Sequence, residues 1–185
     1  MISTNDVRPG MALDLEDGLF SIVEYQHVKP GKGKAFVRMK LKKLETGQVL
    51  DRTFRADEDV PQAIIDKREH QYLYSDDLGH HFMNLNDYGQ LVVTRETVGE
   101  SADYLVDGMT VTLLMHNETP IGIDMPPSVE LEVTYAEPAV KGDTRTAATK
   151  GVTTETGLEV QVPLFVEQGD RIKVDTRTGE YQTRV

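Results

Sequence analysis

The sequence predicts an all-β protein built from three small β-barrels, and three observations carry that expectation. Short segments rich in β-branched and aromatic residues recur along the whole 185-residue chain, glycine- and proline-bearing turns separate them, and amphipathic helical spacing is scarce. Two breaks divide the pattern. "ADEDVPQA" (56–63) interrupts it with acid and proline, and Pro126 and Pro127 in "DMPPSVE" interrupt any ladder. The expected modules are therefore 1–64, 65–127 and 128–185. At roughly 60 residues each is marginal as an independent core, so the modules are expected to support one another at their junctions.

In the first module "LFSIVEYQHV" (19–28) reads as a strand. "KAFVRMKLKKL" (34–44) alternates, with Ala35, Val37, Met39 and Leu41 on one face and Arg38, Lys40 and Lys42 on the other. Between them lies "KPGKG". Pro30 presets φ for a turn, and Gly31 and Gly33 can take positive φ, which makes a hairpin with Lys32 at its tip. Arms paired to Tyr25 would project that tip by roughly 20–25 Å. "QVLDRTFRA" (48–56) gives a further strand. The second module offers "QYLYS", "HHFMNL", "QLVVTR", a helical turn near "SADYLV" (101–106), "MTVTLLMH" and "PIGIDM". The third offers "SVELEVTY", "LEVQVPLF", "RIKVDT" and "EYQTRV", with "VKGDTRTAATKGVTTETG" (140–157) expected as a polar loop.

Composition narrows the function. With 38% hydrophobic and 28% charged residues this is an ordinary globular balance. The absence of cysteine removes disulfides, thiolate metal sites and cysteine nucleophiles. No basic start leads into an apolar run, and no stretch approaches the ~18 apolar residues of a membrane span, so a cytoplasmic protein without a membrane partner is expected. The net charge is -11, yet Tyr25–Leu44 holds seven basic residues and no acidic one, which leaves -18 for the remainder. Long-range repulsion then opposes nucleic acid while a local basic patch attracts phosphates, permitting approach in few orientations.

The hairpin tip has two readings. Glycine, proline and lysine are common turn material; alternatively, glycines on both sides of Lys32 remove bulk so that one ammonium enters a narrow anionic cavity. The neighbouring basic strand favours the second, since it would grip a phosphate backbone without reading sequence. "PGKGKAF" is not a phosphate-binding P-loop, because Lys34 leads into a strand and not a helix. His80 and His81 are adjacent and point to opposite faces of a strand, so they are poor partners for one metal. No catalytic carboxylate pair or nucleophile elbow occurs. The expectation is therefore no enzyme, metal or cofactor. A general RNA-binding OB protein needs aromatic platforms, which 6% aromatics and no tryptophan disfavour. An enzyme acting on a small substrate would need a deep pocket with perturbed carboxylates.

The chain resembles bacterial elongation factor P from end to end. The resemblance is carried by "RPG", "EYQHVKPGKGKAFVRMKLKKLETG", "REHQYLYSDD" and "FMNLNDYGQ". Most specific is "KGVTTETGLEVQVPLFVEQGDRIKVDTRTGEY", with Lys150, Gly157, Val160, Val162-Pro163, Val166 and Gly169 in signature positions. It implies an SH3-like (KOW-like) N-terminal barrel followed by two OB-fold barrels, in an L that mimics tRNA. It implies a translation elongation factor that binds both ribosomal subunits between the P and E sites and relieves stalling at consecutive prolines. Lys32 would reach the peptidyl transferase centre and carry a post-translational extension added by a lysine-modifying enzyme. Pro30, Gly31, Gly33 and Lys34 would form the tip loop, and Lys29, Arg38, Lys40 and Lys42 would touch phosphates of peptidyl-tRNA or rRNA. Gly142, Asp143 and Thr144 would lie near the exit-site codon of the mRNA. Rhamnosylation belongs to relatives with arginine at the tip, and Lys32 argues against it here.

Overall fold

The computed structural model describes residues 1–139 and 148–185. By compactness these form two units, Met1–Lys67 with Leu114–Gly122, and Arg68–Leu113 with Ile123–Val185.

The first barrel contains β1 (Ile2–Ser3), β2 (Ala12–Leu15), β3 (Gly18–Val28), β4 (Phe36–Lys43), β5 (Val49–Arg55), β6 (Asp59–Val60) and β7 (Gln62–Ala63). Five of them form a sheet in the order β5-β4-β3-β2-β7, and β1 pairs with β6. The alternation expected for β4 is observed, with Val37, Met39 and Leu41 fully buried beside Leu13, Phe20 and Ile22. β3 alternates less simply. Ile22 faces Leu41 and Glu24 faces Lys40, so a bulge inserts Val23 and reverses the inward phase. Phe20 and Ile22 point inward before it, and Tyr25 packs on the same core after it. The short strands β1, β2, β6 and β7 lie outside the segments read from sequence, because two to four residues cannot display a period.

The central barrel comprises β8 (Asp66–Asp76), β9 (Gly79–Asn84), β10 (Gln90–Val93), β11 (Thr110–His116) and β12 (Thr119–Asp124), in the order β10-β9-β8-β11-β12. Tyr72, Phe82, Val93, Val111 and Leu113 are buried. Gly79 makes the β8–β9 turn at φ +139, and a Cβ there would lie 2.4 Å from the Val93 carbonyl oxygen, so no other residue fits without displacing backbone. The helical segment starts earlier than expected: α1 (Arg95–Val98) is a single turn capped by Thr94, whose hydroxyl accepts from the Thr97 N–H, and a 3-10 helix follows over Gly99–Tyr104. Its residues, mostly polar, give no apolar stripe from which to place it.

β13 (Ser128–Ala136), β14 (Thr149–Thr154), β15 (Glu159–Pro163), β16 (Arg171–Asp175) and β17 (Tyr181–Arg184) form the third sheet, in the order β15-β14-β13-β16-β17. Its core is Val129, Leu131, Val133, Val152, Val160, Val162, Val166, Ile172 and Val174. β14 corrects the sequence reading, which placed residues 149–154 in a polar loop. Lys150, Val152 and Thr154 are its buried face. With two polar residues of three facing inward, the apolar alternation that betrays a strand is absent. Tyr104, Val106, Met109 and Met125 pack on this core, and the Thr156 hydroxyl donates to the Asp103 carbonyl at 2.5 Å. Within this unit, then, the third barrel completes its core with side chains from the segments preceding it, as the small module size requires.

Candidate functional site: the Lys32 hairpin

β3 and β4 stay paired to their ends, through Tyr25↔Met39, Gln26↔Arg38, His27↔Val37 and Val28↔Phe36. Residues 29–35 then leave the ladder. Val37 is fully buried, so the barrel core reaches almost to the last pair. The projecting part is therefore shorter than the expectation from Tyr25: four residues from Val28 to Lys32 span about 13 Å at full extension.

Lys29, Pro30, Gly31, Lys32, Gly33 and Lys34 are all exposed. Their glycines differ in kind. Gly33 has φ +109, a conformation an L side chain rarely adopts. Gly31 is not among the positive-φ residues, and a Cβ there would meet nothing within 4 Å. Gly33 thus uses the positive φ open to both glycines and Gly31 does not, so the chain itself does not require the bareness of Gly31.

The outer face of the hairpin is less uniformly basic than its sequence. Lys40 Nζ lies 3.0 Å from Glu24 Oε1, and Asp51 sits opposite Lys40 on β5. The hydrogen bond that the Lys40 ammonium donates to Glu24 holds it above its ordinary pKa, with Asp51 adding to the effect. Arg38 instead faces Gln26 and Thr53, and Lys42 faces Ser21 and Val49. Among the described residues Lys29, Lys32, Lys34, Arg38 and Lys42 have no ion-pair partner. The sequence reading groups Lys40 with these cations because the contiguous stretch holds no acidic residue. It could not see Glu24, brought opposite by the bulge, or Asp51 from the next strand.

Arg55, not singled out from sequence, ends β5 opposite Phe36 and is exposed on this outer face. The signal was available in the alternation of Asp51, Thr53 and Arg55. Gly142, Asp143 and Thr144 lie outside the described residues. Elsewhere, His80 is buried beside Tyr72 while His81 faces outward against Tyr74, so the two imidazoles diverge. Among the described residues no group of three His, Asp or Glu side chains could hold a metal ion.

The comparisons with known proteins agree with this geometry. The family model for the elongation factor P (EF-P) KOW-like domain matches residues 3–60, that for the EF-P OB domain matches 65–123, and that for elongation factor P, C-terminal, matches 129–184. The chain belongs to the elongation factor P family. It is 49% identical to elongation factor P of Paenarthrobacter aurescens over 185 residues, covering 100% of this chain and 99% of that protein. It is 50% identical to elongation factor P of Syntrophomonas wolfei, covering 100% of each. Among solved structures, eukaryotic translation initiation factor 5A from Methanococcus jannaschii superposes with a TM-score of 0.51 at 20% identity, over 66% of this chain and 92% of that one. That likeness is one of fold. The protein is accordingly a translation elongation factor with the all-β, KOW-like and OB-fold architecture of the elongation factor P family.

Proposed function

We propose that this elongation factor P family member binds the ribosome between the P and E sites and positions peptidyl-tRNA for peptide bond formation, relieving stalling at consecutive prolines. The observation that carries the reading is the exposed Lys32 between two bare glycines, with Lys29, Lys34 and Arg38 beside it and without an ion-pair partner among the described residues. Those three cations, with Lys42 and Arg55, would hold phosphates of tRNA or rRNA, and Lys32 would be directed into the peptidyl transferase centre.

The contribution is positional and not catalytic. Proline's ring fixes φ and restricts its nitrogen, which makes it a poorly aligned nucleophile. Holding the peptidyl-tRNA in a reactive alignment lowers the entropic part of the barrier, and the ribosome performs the chemistry. No cofactor enters this account. A lysine-modifying enzyme would extend Lys32, lengthening a tip that the fold leaves short. Gly142, Asp143 and Thr144 would approach the mRNA at the exit site. The setting is the cytoplasm, where translation occurs; among the described residues no helix is long and apolar enough to cross a membrane.

The test is ribosome binding by the protein and by its Lys29→Ala, Arg38→Ala and Lys42→Ala variants as salt is raised. Each loss of a phosphate contact lowers the salt slope by about one. A salt-independent affinity contradicts the electrostatic part of the proposal.

A further inference from the structure

Of the eight prolines in the sequence, two are adjacent, Pro126 and Pro127. Pro9, Pro30, Pro61, Pro120, Pro138 and Pro163 each have a different residue on both sides.

The fold has a reason for the pair. β12 ends at Asp124 and β13 begins at Ser128, so three residues carry the chain into the third barrel. Both prolines stand outside the ladder, which opens with Ser128 opposite Asp175, so the N–H groups they lack cost no strand pairing there. One residue holds both of their carbonyls. Thr176 donates its hydroxyl to the Pro126 carbonyl at 2.5 Å and its N–H to the Pro127 carbonyl at 3.1 Å. With φ fixed at two successive positions, the link is stiff as well as tethered, and Met125 just before it packs on the third core.

The same pair is awkward to synthesise. The Pro127 nitrogen must attack the carbonyl carbon of Pro126, held as an ester on its tRNA. The C–N bond forms and the ester C–O bond breaks, while the nitrogen gives up its proton and the departing tRNA oxygen takes one. Here, and at no other bond in the chain, both reacting residues are prolines. The nucleophile is confined by its ring. The acceptor has φ fixed by its own ring and ψ limited by the incoming one. Neither side can rotate to improve a poor alignment, which is the condition under which holding peptidyl-tRNA in place lowers the barrier most.

Resting on the function proposed above, we infer that synthesis of this chain pauses at the Pro126–Pro127 bond and that finished copies of the protein relieve the pause, so that its production depends on its own activity. The result is a positive feedback on its level. The pause also falls at a sensitive place. A chain ending at Pro126 has none of β13 to β17, so Tyr104, Val106, Met109 and Met125 lack the core they pack on. A chain abandoned there exposes them, which ties the yield of folded protein to relief as well as its rate.

The test is reconstituted translation, free of this factor at the outset, of the protein's own message, of the same message encoding Pro127→Ala, and of a three-proline reporter. Peptidyl-tRNA is resolved by length, with and without full-length protein purified from its native host. Because the readout is a nascent chain, it does not require the variant to fold. The expected result is a peptidyl-tRNA ending at Pro126 that accumulates on the protein's own message, is lost when the protein is added, and is absent from the Pro127→Ala message. The isolated prolines should give no such species. If nothing accumulates at Pro126, or if the species persists after the protein is added, while the reporter is rescued, the inference is overturned and the proposed function stands. An equal pause on the Pro127→Ala message also overturns it, by assigning the pause to something other than the pair. A reporter that the protein does not rescue overturns the proposed function, and the inference with it.

Discussion

Glu24 and Lys40 face one another across β3 and β4 at 3.0 Å, and they do so because a bulge at Val23 turns Glu24 onto the outer face. One basic residue of the hairpin is thereby neutralised within the fold, while Arg38, two residues nearer the tip, has no acidic partner among the described residues. Arg38→Ala is expected to lower the slope of log affinity against log salt for ribosomes by about one, and Lys40→Ala to leave it unchanged. Glu24→Gln should raise the slope by releasing Lys40. Equal effects of the two alanine substitutions would show that the ion pair opens on binding.

Gly31 and Gly33 separate conformation from access. Gly33→Ala places a Cβ at φ +109 and should rearrange the loop, at a local cost of about 1 kcal/mol or more. Gly31→Ala meets no atom within 4 Å and should leave the melting temperature and loop amide shifts unchanged. If the tip enters a confined cavity, Gly31→Ala nonetheless loses activity in proline-dependent translation. Full activity of that variant would show that the tip has room for a methyl group.

Lys150 is only 8% exposed on β14, opposite Val162. Its hydrocarbon stem fills space between the strands of the third barrel, so Lys150→Ala should destabilise by about 1–3 kcal/mol in urea unfolding. Lys150→Met, which keeps the stem, should retain most of that stability. A similar loss in both variants would assign the effect to the ammonium group and not to packing.

Acid should weaken the second unit through particular carboxylates. Backbone N–H donation from Arg177 holds Asp175 below the ordinary value of 3.8, and the hydrogen bond from His81 does the same for Asp76. Because the folded-state values are depressed, this stabilisation is complete above the unfolded value and fades as pH falls through the folded ones. Melting temperatures should therefore decline below about pH 4, and the decline should be shallower in Asp175→Ala. An unchanged acid limb in that variant would remove Asp175 from the account.

The parts of the structure legible in the sequence are those where chemistry and period coincide. β4 declared itself because Val37, Met39 and Leu41 alternate with cations, and the Lys32 turn because proline and glycine punctuate it. β14 did not, since Lys150 and Thr154 occupy inward positions. Nor could the bulges in β3 and β8 be read. Each shifts the alternation by one residue, and only the partner strand reveals whether Glu24 or Tyr74 lands inside or outside. The same limit applies to the site. The cations were visible, but the pairing of Lys40 with Glu24 and the place of Arg55 depend on neighbours distant in sequence.

The central claim is that Lys32 at the hairpin tip acts on proline-dependent peptide bond formation. Its most direct test is reconstituted translation of a reporter with three consecutive prolines, beside a proline-free control, using protein purified from its native host and its Lys32→Ala variant. The account predicts that the parent protein selectively rescues the proline reporter and that Lys32→Ala, folded and equally stable, does not. Equal rescue by the two proteins, or equal stimulation of both reporters, would contradict it.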